Sequence, residues 1–185
     1  MSSALIDRDR AFARRVPAGT LTILVTDMVG STRLAEELGD RTWWRILQAH
    51  AAVVRAEIER QGGIEVKALG DGFIVVFPSA RRAILAAVGI QQALDRHRRE
   101  SPAHPVELRI GLHTGDVVEA DGDVFGQNVI LAVRIADAAG PGEVLVSGLT
   151  HDLTVAAGDL PFGPGRDVAL EGFSHPWRVH RLAWT

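Results

Sequence analysis

The sequence predicts an α/β domain with a mixed sheet and packed helices. Three observations predict it. Leu21–Val25 and Phe73–Phe77 are unbroken apolar runs, too short for helices and long enough for buried strands. Between them Trp43, Leu47, Ala51, Val54 and Ile58 recur at intervals of three and four, which lines one helix face. Two tight turns, Gly70-Asp71-Gly72 and Ala120-Asp121-Gly122, join neighbouring strands directly.

Each element follows in order. Residues 1–18 are charged and ungrouped and read as a tail or linker, with Pro17-Ala18-Gly19 breaking the chain ahead of a domain over 19–185. A strand is expected from Gly19 to Asp27, then a short helix over Thr32–Leu38 with Ser31 or Thr32 as its N-cap. Gly39-Asp40 starts a long helix that ends near Arg60, before Gln61-Gly62-Gly63. Trp43 and Trp44 read as packing residues on that helix. Ile64–Leu69 and Phe73–Phe77 make a hairpin.

Ser79 caps a third helix over Ala80–Arg99, whose basic end opposes the helix dipole, and Pro102 and Pro105 stop it. Val106–Thr114 alternates as a strand, continued by Gly115–Glu119 to the Asp121-Gly122 turn. His113 reads as a packed strand histidine. Phe125–Ala139 is expected to be helical up to Gly140-Pro141-Gly142. A strand over Glu143–Ser147, a helical turn over Leu149–Leu153 and strands over Asp167–Leu170 and Trp177–Leu182 complete the chain.

Composition narrows the function. With 185 residues and 46% apolar content the chain is one domain with a substantial core. A net charge of −3 gives no hint of nucleic-acid binding. There is no cysteine, hence no disulfide framework and no thiolate metal site. No apolar run reaches the roughly 20 residues that span a bilayer, and the N-terminus lacks a signal-peptide core. The expected location is cytoplasmic, without membrane contact by this domain.

Two stretches carry candidate chemistry. Asp71 sits between glycines at a hairpin tip, where a carboxylate can ligate a hard cation. A plain polar tip is the other reading. Asp27 ends the first strand, and Gly30-Ser31-Thr32 opens a helix whose free amides suit phosphate. An aspartate that only caps the loop is the alternative there. The turn between Lys67 and Asp71 lets their side chains point to different places.

Together these stretches resemble the class III nucleotidyl cyclase catalytic domain. The resemblance rests on Thr22–Thr32, Lys67–Gly72, Leu108–Gly115, Asp123–Gly126 and Ala132–Ile135, five motifs in register over nearly the whole chain. It implies a ferredoxin-like α/β fold: a mixed, mostly antiparallel sheet, helices on one side, and a head-to-tail homodimer with two shared active sites. It implies cyclisation of ATP to 3′,5′-cyclic AMP and pyrophosphate with two divalent cations per site, Mg2+ or Mn2+. Asp27 and Asp71 match the metal-binding aspartates, with Met28 contributing its carbonyl. Val29, Gly30, Ser31 and Thr32 match the phosphate loop. Lys67 and Asp123 match the adenine-reading pair and Arg134 the transition-state arginine. The metal aspartates would come from one subunit and the base-reading residues and Arg134 from the other. Short dimerisation-arm bacterial members, some fused to an upstream regulatory domain, are the subgroup resembled.

Two positions depart from the pattern. Ile130 stands where an asparagine is usual, four residues before Arg134, and Asn128 lies on another azimuth. Gln127, two turns from Arg134, is the candidate substitute. Glu171, in Leu170-Glu171-Gly172-Phe173, replaces a phosphate-binding lysine, with Arg166 or Arg178 as candidate compensators. These departures leave a catalytically silent nucleotide-binding module that regulates a partner as the alternative, and a guanylate cyclase as a third reading.

Overall fold

The computed structural model describes Val16 and residues 19–100 and 106–185. The expected tail over residues 1–18 and the stop at Pro102 and Pro105 fall outside the described residues, except for Val16. The elements are β1 (Thr20–Met28), α1 (Ser31–Leu38), α2 (Asp40–Arg60), β2 (Ile64–Ala68), β3 (Phe73–Phe77), α3 (Ala80–Glu100), β4 (Leu108–Asp116), β5 (Val118–Ala120), β6 (Asp123–Phe125), α4 (Gln127–Asp137), β7 (Val144–Ser147), α5 (Gly148–Asp152), β8 (Arg166–Val168) and β9 (Trp177–Leu182), with a 3-10 turn at Val155–Ala157.

Seven strands form one sheet in the order β2-β3-β1-β4-β7-β9-β8. Every neighbouring pair is antiparallel except β4 with β7, so the sheet is mixed and mostly antiparallel. β5 and β6 form a separate hairpin whose turn residues Asp121 and Gly122 have φ of 53° and 74°. Positive φ at both positions is the requirement of a type I′ turn, which the Asp-Gly pair signalled.

Helices cover both faces of the sheet, which corrects the expectation of helices on one side. On one face Leu24, Val75, Phe77 and Leu112 pack with Val54 and Ile58 of α2 and Ile84 and Ile90 of α3. On the other face Ile23, Val25, Ile74 and Val76 meet Val129, Ala132 and Ala136 of α4. Alternation along a strand sends successive side chains to opposite faces, so an unbroken apolar run needs cover on both. Gly111 lets α4 approach: a Cβ there would collide with the Ala136 backbone.

Other boundaries change as well, including the strand expected over Asp167–Leu170, which spans Arg166–Val168. Gly30, at φ 70°, is the N-cap of α1 with no side-chain cap bond, so neither Ser31 nor Thr32 caps it. Phe125 pairs with Val118 in the β5–β6 hairpin, and the expected helix begins only at Gln127. The strand after Thr114 ends at Asp116 instead of running on to Glu119, because β5 turns away to pair with β6. By contrast α2 starts at Asp40 as its glycine signalled, and the Ser79 hydroxyl accepts from the Arg82 amide at the start of α3.

Candidate active site

The end of the sheet that carries Asp27 gathers most of the candidate residues. β1 delivers Asp27, and antiparallel pairing sets Arg109 of β4 directly across from it. Arg109 Nε donates to Asp27 Oδ2 at 2.6 Å, and Arg109 Nη2 lies 2.6 Å from the same oxygen. The guanidinium extends to the C-terminus of α4, where Nη1 donates to the Asp137 carbonyl at 3.0 Å and Nη2 lies 3.3 Å from Asp137 Oδ1. Asp137 Oδ2 in turn accepts from Arg134 Nη1 at 3.2 Å. Glu171 Oε2 lies 3.2 Å from that same nitrogen. Asp27, Arg109, Asp137, Arg134 and Glu171 therefore form an alternating ladder of charge.

Asp71 reaches the same end from the β2–β3 turn. Leu69 N donates to Gly72 O and Gly70 has φ 77°, a turn that leaves Asp71 at its tip. A Cβ on Gly72 would strike the Thr26 carbonyl, so the glycine lets the turn lie against the end of β1 next to Asp27. Asp71 also acts on His50 of α2. That ring is 3% exposed and neither of its nitrogens has a hydrogen-bond partner. Burial pushes its pKa down to about 4, against a smaller upward pull from the Asp71 charge.

Lys67 takes the other direction. Its ammonium donates to Asp123 Oδ2 at 2.5 Å, joining β2 to β6 across 56 residues of sequence. Asp123 Oδ1 accepts from the Val124 amide, which fixes the carboxylate. The expected divergence of Lys67 from Asp71 is thus present: one side chain meets Asp123 and the other lies near His50.

The loop after β1 narrows one expectation. The Val29 amide donates to Glu107 O at 2.9 Å, so it is not free for phosphate. The first intrahelical bond of α1 is Leu34 N to Gly30 O, which leaves the amides of Ser31, Thr32 and Arg33 facing outward at a helix N-terminus. Met28 is paired with Leu108 and its side chain is buried in the core.

The closing segment runs along α4. Gln127 shares a cleft of about 350 Å³ with Phe173, Ser174, His175, Pro176 and Trp177, while Glu171 reaches Arg134 two turns further on. Ile130 is 53% exposed on the same helix. Arg166 pairs with Glu143 and Arg178 with Asp167, so each of the two candidate compensators faces a carboxylate other than Glu171. Asn128 does point elsewhere: its Oδ1 bonds His113 Nε2 at 3.0 Å and its Nδ2 donates to Asp116 O at 2.7 Å. His113 Nδ1 bonds Ser147 Oγ at 2.8 Å, so this histidine is a packed, fully partnered side chain.

Sequence reading gave no role to Arg109, Asp137 or His50. The strand register that puts Arg109 opposite Asp27 is invisible without the fold. Asp137, three residues after Arg134, was the one locally readable signal. The donor chemistry fits a hard divalent cation, since the side-chain groups offered are carboxylates. Among the described residues no three His, Cys, Asp or Glu side chains converge as a ready-made cage. Asp27, Asp71 and the Met28 carbonyl are the oxygen donors that could hold such a cation. No helix among the described residues is long and apolar enough to cross a membrane.

Comparison with known proteins gives this arrangement a family. The model of the adenylate and guanylate cyclase catalytic domain matches residues 14–177. A Rhizobium meliloti protein named "Putative adenylate cyclase 3" is 31% identical over 164 residues, covering 88% of this chain and 28% of that protein. An uncharacterised Mycobacterium tuberculosis protein is 35% identical over 151 residues, covering 80% of this chain and 49% of the relative. The chain thus spans less than half the length of these curated relatives. Among solved structures, the adenylyl cyclase CyaB from P. aeruginosa superposes with a TM-score of 0.75 at 26% identity, covering 89% of this chain and 94% of that one. The guanylyl cyclase Cya2 superposes with a TM-score of 0.79 at 27% identity, covering 90% and 94%.

Proposed function

The chain belongs to the adenylate and guanylate cyclase catalytic-domain family, and from that premise we propose that it is an adenylate cyclase working as a homodimer. The reaction joins the ribose 3′-oxygen of ATP to the α-phosphorus, breaks the bond from that phosphorus to the bridging oxygen, and releases pyrophosphate and the hydroxyl proton. Bound divalent cations, Mg2+ or Mn2+, would supply acidification of the 3′-hydroxyl and charge neutralisation on the leaving phosphates. Asp27, Asp71 and the Met28 carbonyl would hold them. The outward amides of Ser31 and Thr32, beyond the Gly30 turn, would bind phosphate oxygens.

The observation that carries the choice of ATP is the meeting of Lys67 with Asp123. An ammonium donor beside a carboxylate acceptor complements adenine, whose N1 accepts and whose 6-amino group donates. Guanine presents the reverse, and each mispaired buried group costs about 1–3 kcal/mol. Arg134 would neutralise charge that develops at the α-phosphate. Gln127 would face the ribose in place of the usual asparagine.

A second reading has its own observations. Ile130 offers no hydrogen bond, and Arg134 is already paired with Glu171. Both favour a weakly active or silent nucleotide-binding module that regulates a partner. A guanylate cyclase is the third reading, opposed by Lys67 and Asp123. Product formation from ATP and from GTP, with Mg2+ and with Mn2+, beside Asp71→Ala, separates the three. Cyclic AMP exceeding cyclic GMP by at least about tenfold, and lost in Asp71→Ala, supports the adenylate cyclase. Nucleotide binding without either product supports the silent module.

A further inference from the structure

The cation nearest Asp27 is part of the chain itself. Arg109 places Nε and Nη2 at 2.6 Å from Asp27 Oδ2, and both side chains are about a third exposed. A divalent ion on that carboxylate competes with the guanidinium, because like charges repel and the oxygen lone pairs are shared. Arg109 already has a second acceptor in Asp137, through the backbone carbonyl at 3.0 Å and Oδ1 at 3.3 Å. Strand pairing fixes the Cα positions of Asp27 and Arg109, so the exchange needs only a side-chain movement.

We propose that Arg109 is a positioning residue that acts as a built-in counter-cation: it holds Asp27 while the metal site is empty and moves onto Asp137 when a divalent cation binds. This rests on the reading of Asp27 as a metal ligand. The ladder makes a prediction of opposite signs. Arg109→Gln removes the competitor and tightens divalent binding. Asp137→Asn removes the acceptor charge, leaves Arg109 more firmly on Asp27, and weakens it. A purely structural role for the two residues moves binding in one direction for both.

The test is a Mn2+ binding isotherm on the full chain without nucleotide, read from the loss of the free-ion EPR signal. The variants are Arg109→Gln, Asp137→Asn and Asp27→Asn. Expected results are binding roughly three- to tenfold tighter in Arg109→Gln, weaker by a similar factor in Asp137→Asn, and abolished in Asp27→Asn. Circular dichroism melts establish that each variant is folded, and Arg109→Met replaces Arg109→Gln if that one is not. Unchanged or weaker binding in a folded Arg109 variant overturns the proposal, as does unchanged or tighter binding in Asp137→Asn. Wild-type affinity in Asp27→Asn overturns the metal reading of Asp27 itself, a different outcome from the failure of the counter-cation alone.

Discussion

Glu171 stands where related sequences are expected to carry a phosphate-binding lysine, and its carboxylate is spent on Arg134. Arg134 Nη1 thereby faces two carboxylates, since Asp137 reaches the same nitrogen. Its Nε is buried without a partner. The two carboxylates reduce the positive charge that Arg134 can offer a phosphate. Glu171 is 82% exposed, so its pairing with Arg134 adds little stability while its charge still acts on the site. Glu171→Lys is expected to raise kcat/KM for ATP by about tenfold or more, with no loss of melting temperature. A steady-state assay beside a thermal melt checks both halves. His50 makes a prediction about pH. Its folded pKa is lowered to about 4 from 6.5. The unfolded chain therefore takes up a proton at a higher pH than the native one does. Its contribution to stability is whole above pH 6.5 and declines as pH falls towards 4, by up to about 3 kcal/mol. His113 is shifted in the same direction by burial and adds to the slope. Denaturant midpoints measured between pH 7 and pH 4.5 are expected to fall, and to fall less in His50→Phe.

Helix α4 bears most of the decisions made at the level of elements. It is laid against the sheet by Val129, Ala132 and Ala136, and Gly111 removes a Cβ that would collide with the Ala136 backbone. Its N-terminal turn is fixed by a chain of buried polar side chains. Thr22 bonds Thr114, Thr114 bonds Thr150, Thr150 bonds Ser147, and Ser147 bonds His113. His113 then bonds Asn128, whose amide donates to Asp116 O. With Nδ2 as the donor to that carbonyl, Asn128 Oδ1 accepts, so His113 carries its proton on Nε2 and Nδ1 accepts from Ser147. Gly115 leaves room for the Asn128 amide, where a Cβ would collide. Asn128→Ala leaves a buried imidazole donor and a backbone carbonyl unpaired. A stability loss of about 1–3 kcal/mol is expected, measured by urea unfolding. This network engages both ends of the Asn128 amide. Ile130, exposed on the same helix, is the position to change. Ile130→Asn is expected to raise kcat with stability unchanged.

At the scale of the whole molecule the proposed site is divided. The proposed metal ligands Asp27 and Asp71 lie beside Arg109 and His50, whereas the proposed reading pair Lys67 and Asp123 meet each other, and the proposed homodimer would bring the two sets together across its interface. Activity is expected to rise faster than linearly with protein concentration. Asp71→Ala and Arg134→Ala are each expected to be inactive alone. Mixed in equal amounts they should recover about a quarter of wild-type activity, since half of the dimers are mixed and each of those has one intact site. Absence of recovery in a mixture shown by exchange to contain mixed dimers would show that each site lies within one chain.

The sequence by itself determined the strands, the helix periods and the turn chemistry. Those depend on local rules: apolar runs, three- and four-residue spacing, and glycines where φ must be positive. The unbroken apolar character of β1 and β3 calls for cover on both faces of the sheet. Motif order made Asp27, Asp71, Lys67, Asp123 and Arg134 legible as candidates. Only the tertiary structure decided which of them touch. Arg109 meets Asp27 through strand register, Lys67 meets Asp123 across two hairpins, and Glu171 meets Arg134 through a loop folded back on α4. Such contacts are set by how elements pack, and no local spacing encodes the sum of several packing choices. The same reason hid the engagement of the Val29 amide by Glu107 and the commitment of Arg166 and Arg178 to other carboxylates.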